Sequence, residues 1–319
     1  MNYIWQHKQW PNFVYDSEKL SALAYQYAKQ TAKLSGSLLQ TDLDDALTAQ
    51  LDLMVDEAIN TSLIEGENLN PTSVRSSLQL FLNPKQDLNL TPTPINVADA
   101  KAEGLAALIV DVRKNFHKPL NKELLFNWHK MVLVGFEDSI LHSDLTVGQW
   151  RNSPEPMQIV SGPIGYERVH YQAPDSTDLD QLMTGFLDWF NNSSQPIPGV
   201  IRAGIAHLWF EVIHPFDDGN GRIGRAIIEY ALAQDLGAPV VLSMSTHIEK
   251  NKKDYYQHLN QASCCDADEL NNKGALAKCA KATATRDLGD LVSKDCLSVE
   301  GVGRGIRYFI KLGTPQRSI

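Results

Sequence analysis

The stretch that decides the fold runs from residue 206 to residue 230 and reads AHLWFEVIHPFDDGNGRIGRAIIEY, with His214 near its centre. The residues before His214 are mostly apolar, and Pro215 directly after it cannot continue a helix. A second apolar segment follows the glycines of the loop. This pattern predicts two buried helices that are joined by a short turn.

The loop between these helices has the composition of a phosphate-binding site. Gly219, Asn220 and Gly221 open the second helix, where bare backbone N–H groups and the helix dipole favour an anion. Arg222 and Arg225 are three residues apart, so they share one helical face and can hold different phosphates of a polyphosphate. We therefore predict that the loop binds a nucleotide.

Two further side chains of the loop suggest a reaction. Asp218 offers a hard oxygen ligand, and Mg²⁺ is usually held by one or two carboxylates together with substrate phosphates. His214 has an ordinary pKa of roughly 6.5, which suits it to accept a proton from a hydroxyl group near neutral pH. Each feature alone is more often structural, as a core histidine or a tight turn. Together they predict a catalytic site.

Composition and charge limit the remaining possibilities. The chain has 319 residues, of which 43% are hydrophobic and 21% charged, as in a globular protein of two or three domains. A net charge of -9 disfavours extended nucleic-acid binding. The N-terminus lacks the pattern of a signal peptide, and no stretch is apolar enough for a membrane span, so we expect a cytoplasmic location. The four cysteines form no CxxC pair, which disfavours structural zinc.

Helical periodicity dominates the chain and predicts an all-α fold. We expect an N-terminal helical region over 1–95, a catalytic core over 96–262 and a C-terminal segment over 263–319. Two long helices should span residues 17–64 and meet at a turn over 35–37, which reads Ser-Gly-Ser. One β-hairpin is predicted between Met157 and Pro174. Further helices are expected at 71–81, 97–112, 122–134, 177–190 and 200–213.

Residues 214–225 resemble the Fic family motif HxFx(D/E)GNGRxxR at every fixed position. The resemblance implies a helical Fic-type core and transfer of AMP from ATP to a Ser, Thr or Tyr hydroxyl of a target protein. It implies that His214 is the general base and Asp218 the Mg²⁺ ligand. By the same resemblance, Arg222 and Arg225 hold the β- and γ-phosphates, and residues 219–221 form the anion-binding loop.

An upstream segment resembles the inhibitory pattern (S/T)xxxE(G/N) of the same family, with Thr61, Glu65 and Gly66 at its fixed positions. The resemblance implies that Glu65 pairs with Arg225. A carboxylate there takes the place of a γ-phosphate and repels the polyphosphate. The competing interpretation is an ordinary solvated glutamate at a helix end, followed by a glycine cap.

The hairpin resembles the family flap, which holds an extended target segment by main-chain pairing. The residues that the resemblance assigns to target binding are Ile159, Val160, Ser161, Gly162 and His170. Tyr255 and Tyr256 resemble family residues that stack on or border the adenine of ATP, although tyrosines at helical spacing are more often core residues.

The C-terminal segment resembles the last helix and wing of a winged helix-turn-helix. Contact with DNA through Arg286, Arg304 and Arg307 and a protein or dimer contact are equally consistent with this α+β tail. Relatives often form homodimers, and the same partner is expected here. Two other functions stay open: removal of AMP from a modified protein, with Glu65 positioning water, and an ATP-sensing DNA-binding regulator.

Overall fold

The computed structural model describes residues 2–13, 15–40, 42–82, 97–135, 145–161, 166, 168–193, 197–265, 297–300 and 307–310. Helices dominate these ranges, which confirms the all-α fold with a small hairpin. The helices are α1 Ser17–Gln40, α2 Leu43–Ile64, α3 Pro71–Leu82, α4 Val97–Asn115, α5 Lys122–Val132, α6 Leu179–Asn192, α7 Gly199–Ile213, α8 Asn220–Leu236, α9 Met244–Lys250 and α10 Lys252–Ser263.

The predicted turn over residues 35–37 is wrong, because α1 continues through Gly36 to Gln40. A single glycine in a helix costs only about 1 kcal/mol relative to alanine, so it does not end a helix by itself. The break between α1 and α2 falls a few residues later. There the side chain of Asp42 accepts a hydrogen bond from the backbone N–H of Asp44 and caps α2.

Helices α7 and α8 form the centre of the core. Nearly every residue of α7 is buried, as expected of a helix that is apolar around most of its circumference. Gly224 allows α8 to approach α7 closely, since a Cβ at that position would overlap the carboxyl group of Glu211. Helices α2, α4 and α5 pack around α8, and α6 packs against α7. The turn between α7 and α8 is therefore held from several sides.

The C-terminal end of α2 is anchored to α9. Glu57 accepts hydrogen bonds from the hydroxyl of Ser243 and from the backbone N–H and hydroxyl of Ser245, at the start of α9. One turn further on, the Asn60 side chain donates to Thr246 Oγ1 at 2.9 Å. These bonds fix the segment of α2 that carries Thr61 and leads to Glu65.

The short strands form three two-stranded antiparallel sheets in the described residues. They are β1 Asn2–Tyr3 with β4 Cys264–Cys265, β2 Gln158–Ser161 with β3 Arg168–Gln172, and β5 Leu297–Glu300 with β6 Arg307–Ile310. The pair β2–β3 confirms the hairpin predicted between Met157 and Pro174, and β5–β6 is a further antiparallel pair in the C-terminal segment. The rest of the winged-helix prediction, including Arg286 and Arg304, lies outside the described residues. Within the described ranges, no helix combines the length and apolar character needed to cross a membrane.

Candidate active site

The turn after α7 holds His214 in an unusual backbone conformation. His214 has φ 49° and ψ 61°, and it is the one non-glycine residue with positive φ among the described residues. Its backbone N–H donates to the carbonyl of Phe210 and ends the helix. This left-handed conformation is unfavourable for most residues and is kept only when the surroundings impose it.

Arg151 supplies much of that constraint. Its guanidinium donates to the carbonyl oxygens of His214, at 2.8 Å, and of Pro174, at 2.5 Å. Its backbone N–H donates to the carbonyl of Pro215 at 2.9 Å. Arg151 is only 3% exposed, so these are buried, charge-assisted bonds. Sequence reasoning assigned no role to Arg151, because the carbonyls that it binds are more than 20 residues away.

The loop after His214 is closed by side chains that face inward. Asn220 accepts from the backbone N–H of Phe216 at 3.0 Å and donates to its carbonyl at 2.8 Å. His129 stacks on the ring of Phe216 with centroids 4.0 Å apart. Its Nδ1 accepts from the N–H of Gly148, which leaves Nε2 as the donor to the carbonyl of Asp218. Asn220, predicted to bind ATP, thus uses its side chain to shape the loop.

The pKa of His214 is lowered to about 4, mainly by burial and also by the nearby charge of Arg151, whereas the backbone of Glu211 and the carboxylates of Glu65 and Asp218 act in the opposite direction. The histidine is therefore neutral at pH 7. A neutral imidazole can accept a proton, so the predicted role of general base agrees with its charge state.

The anion-binding loop of the sequence prediction is occupied by a carboxylate. Gly219 has φ 80°, a conformation that favours glycine, and α8 begins directly after it. A Cβ at Gly221 would overlap Glu65 Oε1, so the Glu65 carboxylate lies against the first turn of α8. The helix N-terminus stabilises negative charge there. Glu65 thus takes the position that the sequence suggested for a phosphate group.

Arg225 connects this carboxylate to α2. Its Nη2 donates to Glu65 Oε1 at 2.7 Å and to the carbonyl of Thr61 at 3.0 Å, and its Nε donates to Thr61 Oγ1 at 2.7 Å. The Arg225 side chain is 1% exposed. Its Nη1 is buried and has no hydrogen-bond partner among the described residues. Of the three residues in the predicted inhibitory pattern, Thr61 and Glu65 therefore contact the second motif arginine, and Gly66 follows them with φ 83° at the end of α2.

A second carboxylate binds the first motif arginine. Arg222 Nη1 donates to Glu67 Oε2 at 2.8 Å, and the other oxygen of Glu67 accepts from Lys101 Nζ at 2.9 Å. The Arg222 side chain is 5% exposed and that of Glu67 21%. Sequence reasoning missed Glu67, since a glutamate two residues beyond a motif position carries no signal until the fold brings it to Arg222.

Asp218 lies at the outer edge of the loop, with its side chain 41% exposed. Its Oδ1 accepts from the N–H of Gly219 at 2.5 Å and lies 3.6 Å from Arg222 Nη2. The preceding Asp217 is used structurally, because its Oδ2 accepts from the N–H of Thr146. No cluster of three ligating side chains occurs in the described part of the chain. One exposed carboxylate beside a phosphate site suits Mg²⁺, which takes its other ligands from phosphates and water.

The hairpin β2–β3 covers a cavity of about 470 Å³ next to the turn. Its register shifts between Ile159 and Val160, so that Ile159 pairs with Tyr171 and Val160 pairs with Val169. Ile159 and Val160 are 44% and 46% exposed. Ser161 ends β2, and Gly162 lies outside the described residues. The cavity is lined by Ile159, His170, Tyr171, Glu211, Tyr256, Gln257, Leu259, Asn260 and Ser263.

The two tyrosines predicted to border adenine have different positions. Tyr256 lines the cavity and is 40% exposed. Tyr255 turns away, and its hydroxyl pairs with His207 Nε2 at 2.7 Å. Only Tyr256 is therefore placed to touch a ligand in the cavity, while Tyr255 joins α10 to α7.

Comparisons with known sequences point to one family. The Fic/DOC family model matches residues 119–232, and a model described as "Domain of unknown function (DUF4172)" matches residues 3–83. The protein adenylyltransferase Fic of Nematostella vectensis is 34% identical over 91 residues, which are 28% of this chain and 20% of that protein. A probable protein adenylyltransferase of Aquifex aeolicus is 35% identical over 80 residues, 23% of this chain and 25% of that protein. The chain thus matches only a fifth to a quarter of the length of these relatives.

Solved structures share the fold. A Fic-domain signalling protein of Bacteroides thetaiotaomicron aligns with a TM-score of 0.58 at 18% identity, covering 83% of this chain and 96% of that chain. A Fic family protein of Desulfovibrio desulfuricans aligns with a TM-score of 0.55 at 18% identity, covering 96% and 99%. A helical core that presents a histidine, a glycine loop and two arginines on one turn defines the Fic class. Residues 119–232 of the chain therefore form a domain of the Fic/DOC family.

Proposed function

We propose that this protein transfers AMP from ATP to a hydroxyl side chain of a target protein, and that Glu65 restrains the reaction. The observation that carries the proposal is the convergence on one turn of a neutral histidine, an anion-binding helix start and two buried arginines, with a carboxylate in the anion position. Relatives named protein adenylyltransferases, 34–35% identical over the matched segments, support this choice of reaction and donor.

The reaction needs a base close to the phosphates. The target hydroxyl oxygen attacks the α-phosphorus, the bond from that phosphorus to the bridging oxygen breaks, and pyrophosphate leaves. The hydroxyl proton passes to the neutral ring of His214, whose position is fixed by the bonds of Arg151 to the turn. The guanidinium groups of Arg222 and Arg225 hold the β- and γ-phosphates.

Asp218 is the residue that would hold Mg²⁺, because its carboxylate is exposed beside the same loop. The ion neutralises phosphate charge when it is bound. On the other side of the cavity, the flap presents exposed Ile159 and Val160 to solvent. An extended target segment that pairs with this strand would bring its hydroxyl to His214.

Glu65 opposes ATP in two ways. Its carboxylate occupies Arg225 and the start of α8, so a γ-phosphate must displace it. It also repels the polyphosphate, because like charges in a partly buried site interact strongly. The anchoring of α2 to α9 keeps the glutamate in place. ATP that binds despite Glu65 is expected to lie with its phosphates displaced from the productive position.

The test compares the wild-type chain with Glu65→Gly and with Glu65→Gly/His214→Ala. Each is incubated with ATP and Mg²⁺, and the protein is weighed by mass spectrometry for the addition of AMP. We expect weak labelling in the wild type, strong labelling in Glu65→Gly and none in the double variant. The double variant should still bind ATP, because loss of the base affects the transition state and not the ground state. Equal labelling of all three proteins would overturn the proposal.

The position of Glu65 beside the reacting loop also supports the reverse reaction, in which its carboxylate orients a water molecule. Incubation with an AMP-modified target separates the two. Release of AMP by the wild type and its loss in Glu65→Gly would favour removal.

A further inference from the structure

Glu211 is a buried acidic group that the proposed reaction does not use. It lies in the last turn of α7, three residues before His214. Its Oε1 is buried and has no hydrogen-bond partner among the described residues. A buried carboxyl oxygen without a partner is rare in folded proteins and asks for an explanation.

The location of Glu211 connects the phosphate site with the cavity. On one side, its carboxyl group lies against Gly224, one residue before Arg225. On the other side, it lines the cavity together with Ile159 and His170 of the flap and with Tyr256 and Asn260 of α10. A nucleotide that places its phosphates on the loop and its nucleoside in the cavity must therefore lie alongside this carboxyl group.

The charge state of Glu211 determines which nucleobase it can bind by hydrogen bonds. The pKa of Glu211 is raised to about 8, mainly by burial, which the charge of Arg225 opposes and that of Glu65 supports. The group is thus neutral at pH 7, with one O–H donor and one carbonyl acceptor. An ionised carboxylate accepts only, and it would match adjacent donors such as those of guanine. A neutral carboxyl group matches a ring nitrogen beside an exocyclic amine, which is the pattern of adenine.

We propose that the carboxyl group of Glu211 binds the base of the nucleotide donor, donating its O–H to a ring nitrogen of adenine and accepting from the exocyclic amine. The inference rests on the proposed function, because it needs the triphosphate on the loop. It adds a specificity-determining residue that lies outside the Fic motif. Tyr256 then borders the adenine ring, and Glu211 makes the site selective for adenine.

The experiment measures nucleotide affinity in the Glu65→Gly protein, so that the carboxylate of residue 65 does not compete. Glu211→Gln and Glu211→Met are added to this background, and binding of ATP and of purine riboside 5′-triphosphate, which lacks the exocyclic amine, is followed by calorimetry. The glutamine amide also has one donor side and one acceptor side, whereas methionine has a similar length and neither.

The two ligands and the variants form a thermodynamic cycle. We expect Glu211→Gln to retain ATP affinity and Glu211→Met to lose about tenfold, the size of one or two neutral hydrogen bonds. Removing the amine from the ligand should weaken binding to the proteins with Glu211 or Gln and leave Glu211→Met unchanged. Equal ATP affinity in Glu211→Gln and Glu211→Met would overturn the inference, and so would an amine effect that persists in Glu211→Met. If the Glu65→Gly protein itself does not bind ATP, the proposed function fails first.

The pH dependence gives an independent measurement. ATP affinity should fall as Glu211 ionises in the Glu65→Gly protein, at a lower pH than in the intact chain because the charge of Glu65 no longer raises its pKa, and should stay constant in the Glu211→Gln variant. In the intact chain the groups that face Glu211 from the packed elements or across the cavity are Glu65, His170, Tyr171, His207, Arg225, Tyr255 and Tyr256. The pKa of His207 is lowered to about 3, mainly by burial, and those of the three tyrosines are raised by burial, to about 12 for Tyr256. These four groups therefore titrate well away from Glu211, so the same fall in both proteins would contradict the assignment.

Discussion

The two motif arginines lie one turn apart on α8, yet they are held in different ways. Arg225 binds the hydroxyl and carbonyl of Thr61 in α2 as well as Glu65. Arg222 binds Glu67, in the segment after α2, and Glu67 is shared with Lys101. Removal of Glu65 therefore leaves Arg225 fixed in position by Thr61. Arg225 is held by a hydroxyl, a carbonyl and a carboxylate, whereas Arg222 is held by the carboxylate of Glu67.

The largest expected effect is on stability. Arg225→Met leaves Thr61 Oγ1 and the Thr61 carbonyl without their donor and Glu65 without its partner, and we expect it to lower the free energy of unfolding by about 3 kcal/mol. Arg222→Met should cost about 1 kcal/mol, because Glu67 keeps Lys101 and is partly exposed. Urea denaturation measures both. Equal costs would show that the two arginines are held alike.

The next effect concerns the second carboxylate. Glu67→Gln removes the negative charge on Arg222 and should raise ATP affinity about fivefold to tenfold, in line with one charge-assisted hydrogen bond. Glu65→Gln should raise it more, because Glu65 lies on the anion loop itself. Glu103→Gln, at an exposed position of α4, serves as the control for net charge. A larger gain in ATP affinity in Glu67→Gln than in Glu65→Gln would show that Glu67 opposes ATP binding more strongly than Glu65.

The structural bond of Arg225 is tested at Thr61. Thr61→Val keeps the shape of the side chain and removes the acceptor of Arg225 Nε, and we expect a loss of about 1 to 2 kcal/mol in stability. Thr61→Ser retains the hydroxyl and should lose less. In a Glu65→Gly background, Thr61→Val should also weaken ATP binding, since the arginine loses its remaining side-chain anchor. Full ATP affinity there would show that Thr61 plays no part in positioning Arg225.

The sequence predicted the contact of Arg225 with Glu65, but it did not predict the contact of Arg222 with Glu67. A local motif predicted His214, the glycines and both arginines, because one turn between two helices needs no long-range information. The pairing of Glu65 with Arg225 followed from a family pattern, and the structure places them 2.7 Å apart. Glu67 is 155 residues from Arg222, Arg151 is 63 residues from His214, and His129 is 89 residues from Asp218. Such contacts depend on packing, and periodicity does not reveal them.

The guanidinium group of Arg151 extends the comparison of the arginines to His214, the proposed general base. Because the pKa of His214 is lowered to about 4, the neutral base is present above that pH and is lost as pH falls through it. AMP transfer by the Glu65→Gly protein should therefore persist to about pH 5, well below the ordinary histidine pKa of roughly 6.5. Removal of positive charge in Arg151→Met should move this acid limit upward.

The upward shift of the acid limit distinguishes the electrostatic effect of Arg151 on His214 from its effect on the position of His214. Arg151→Met also removes bonds to the His214 and Pro174 carbonyls, so the rate is expected to fall at every pH. A loss of positioning alone would lower the whole pH–rate profile without moving its acid limb. Arg151→Lys keeps the charge but not the paired hydrogen bonds, so it should lower the rate with the limb near its original pH. An acid limb at the same pH in all three proteins would mean that burial alone sets the charge state of His214.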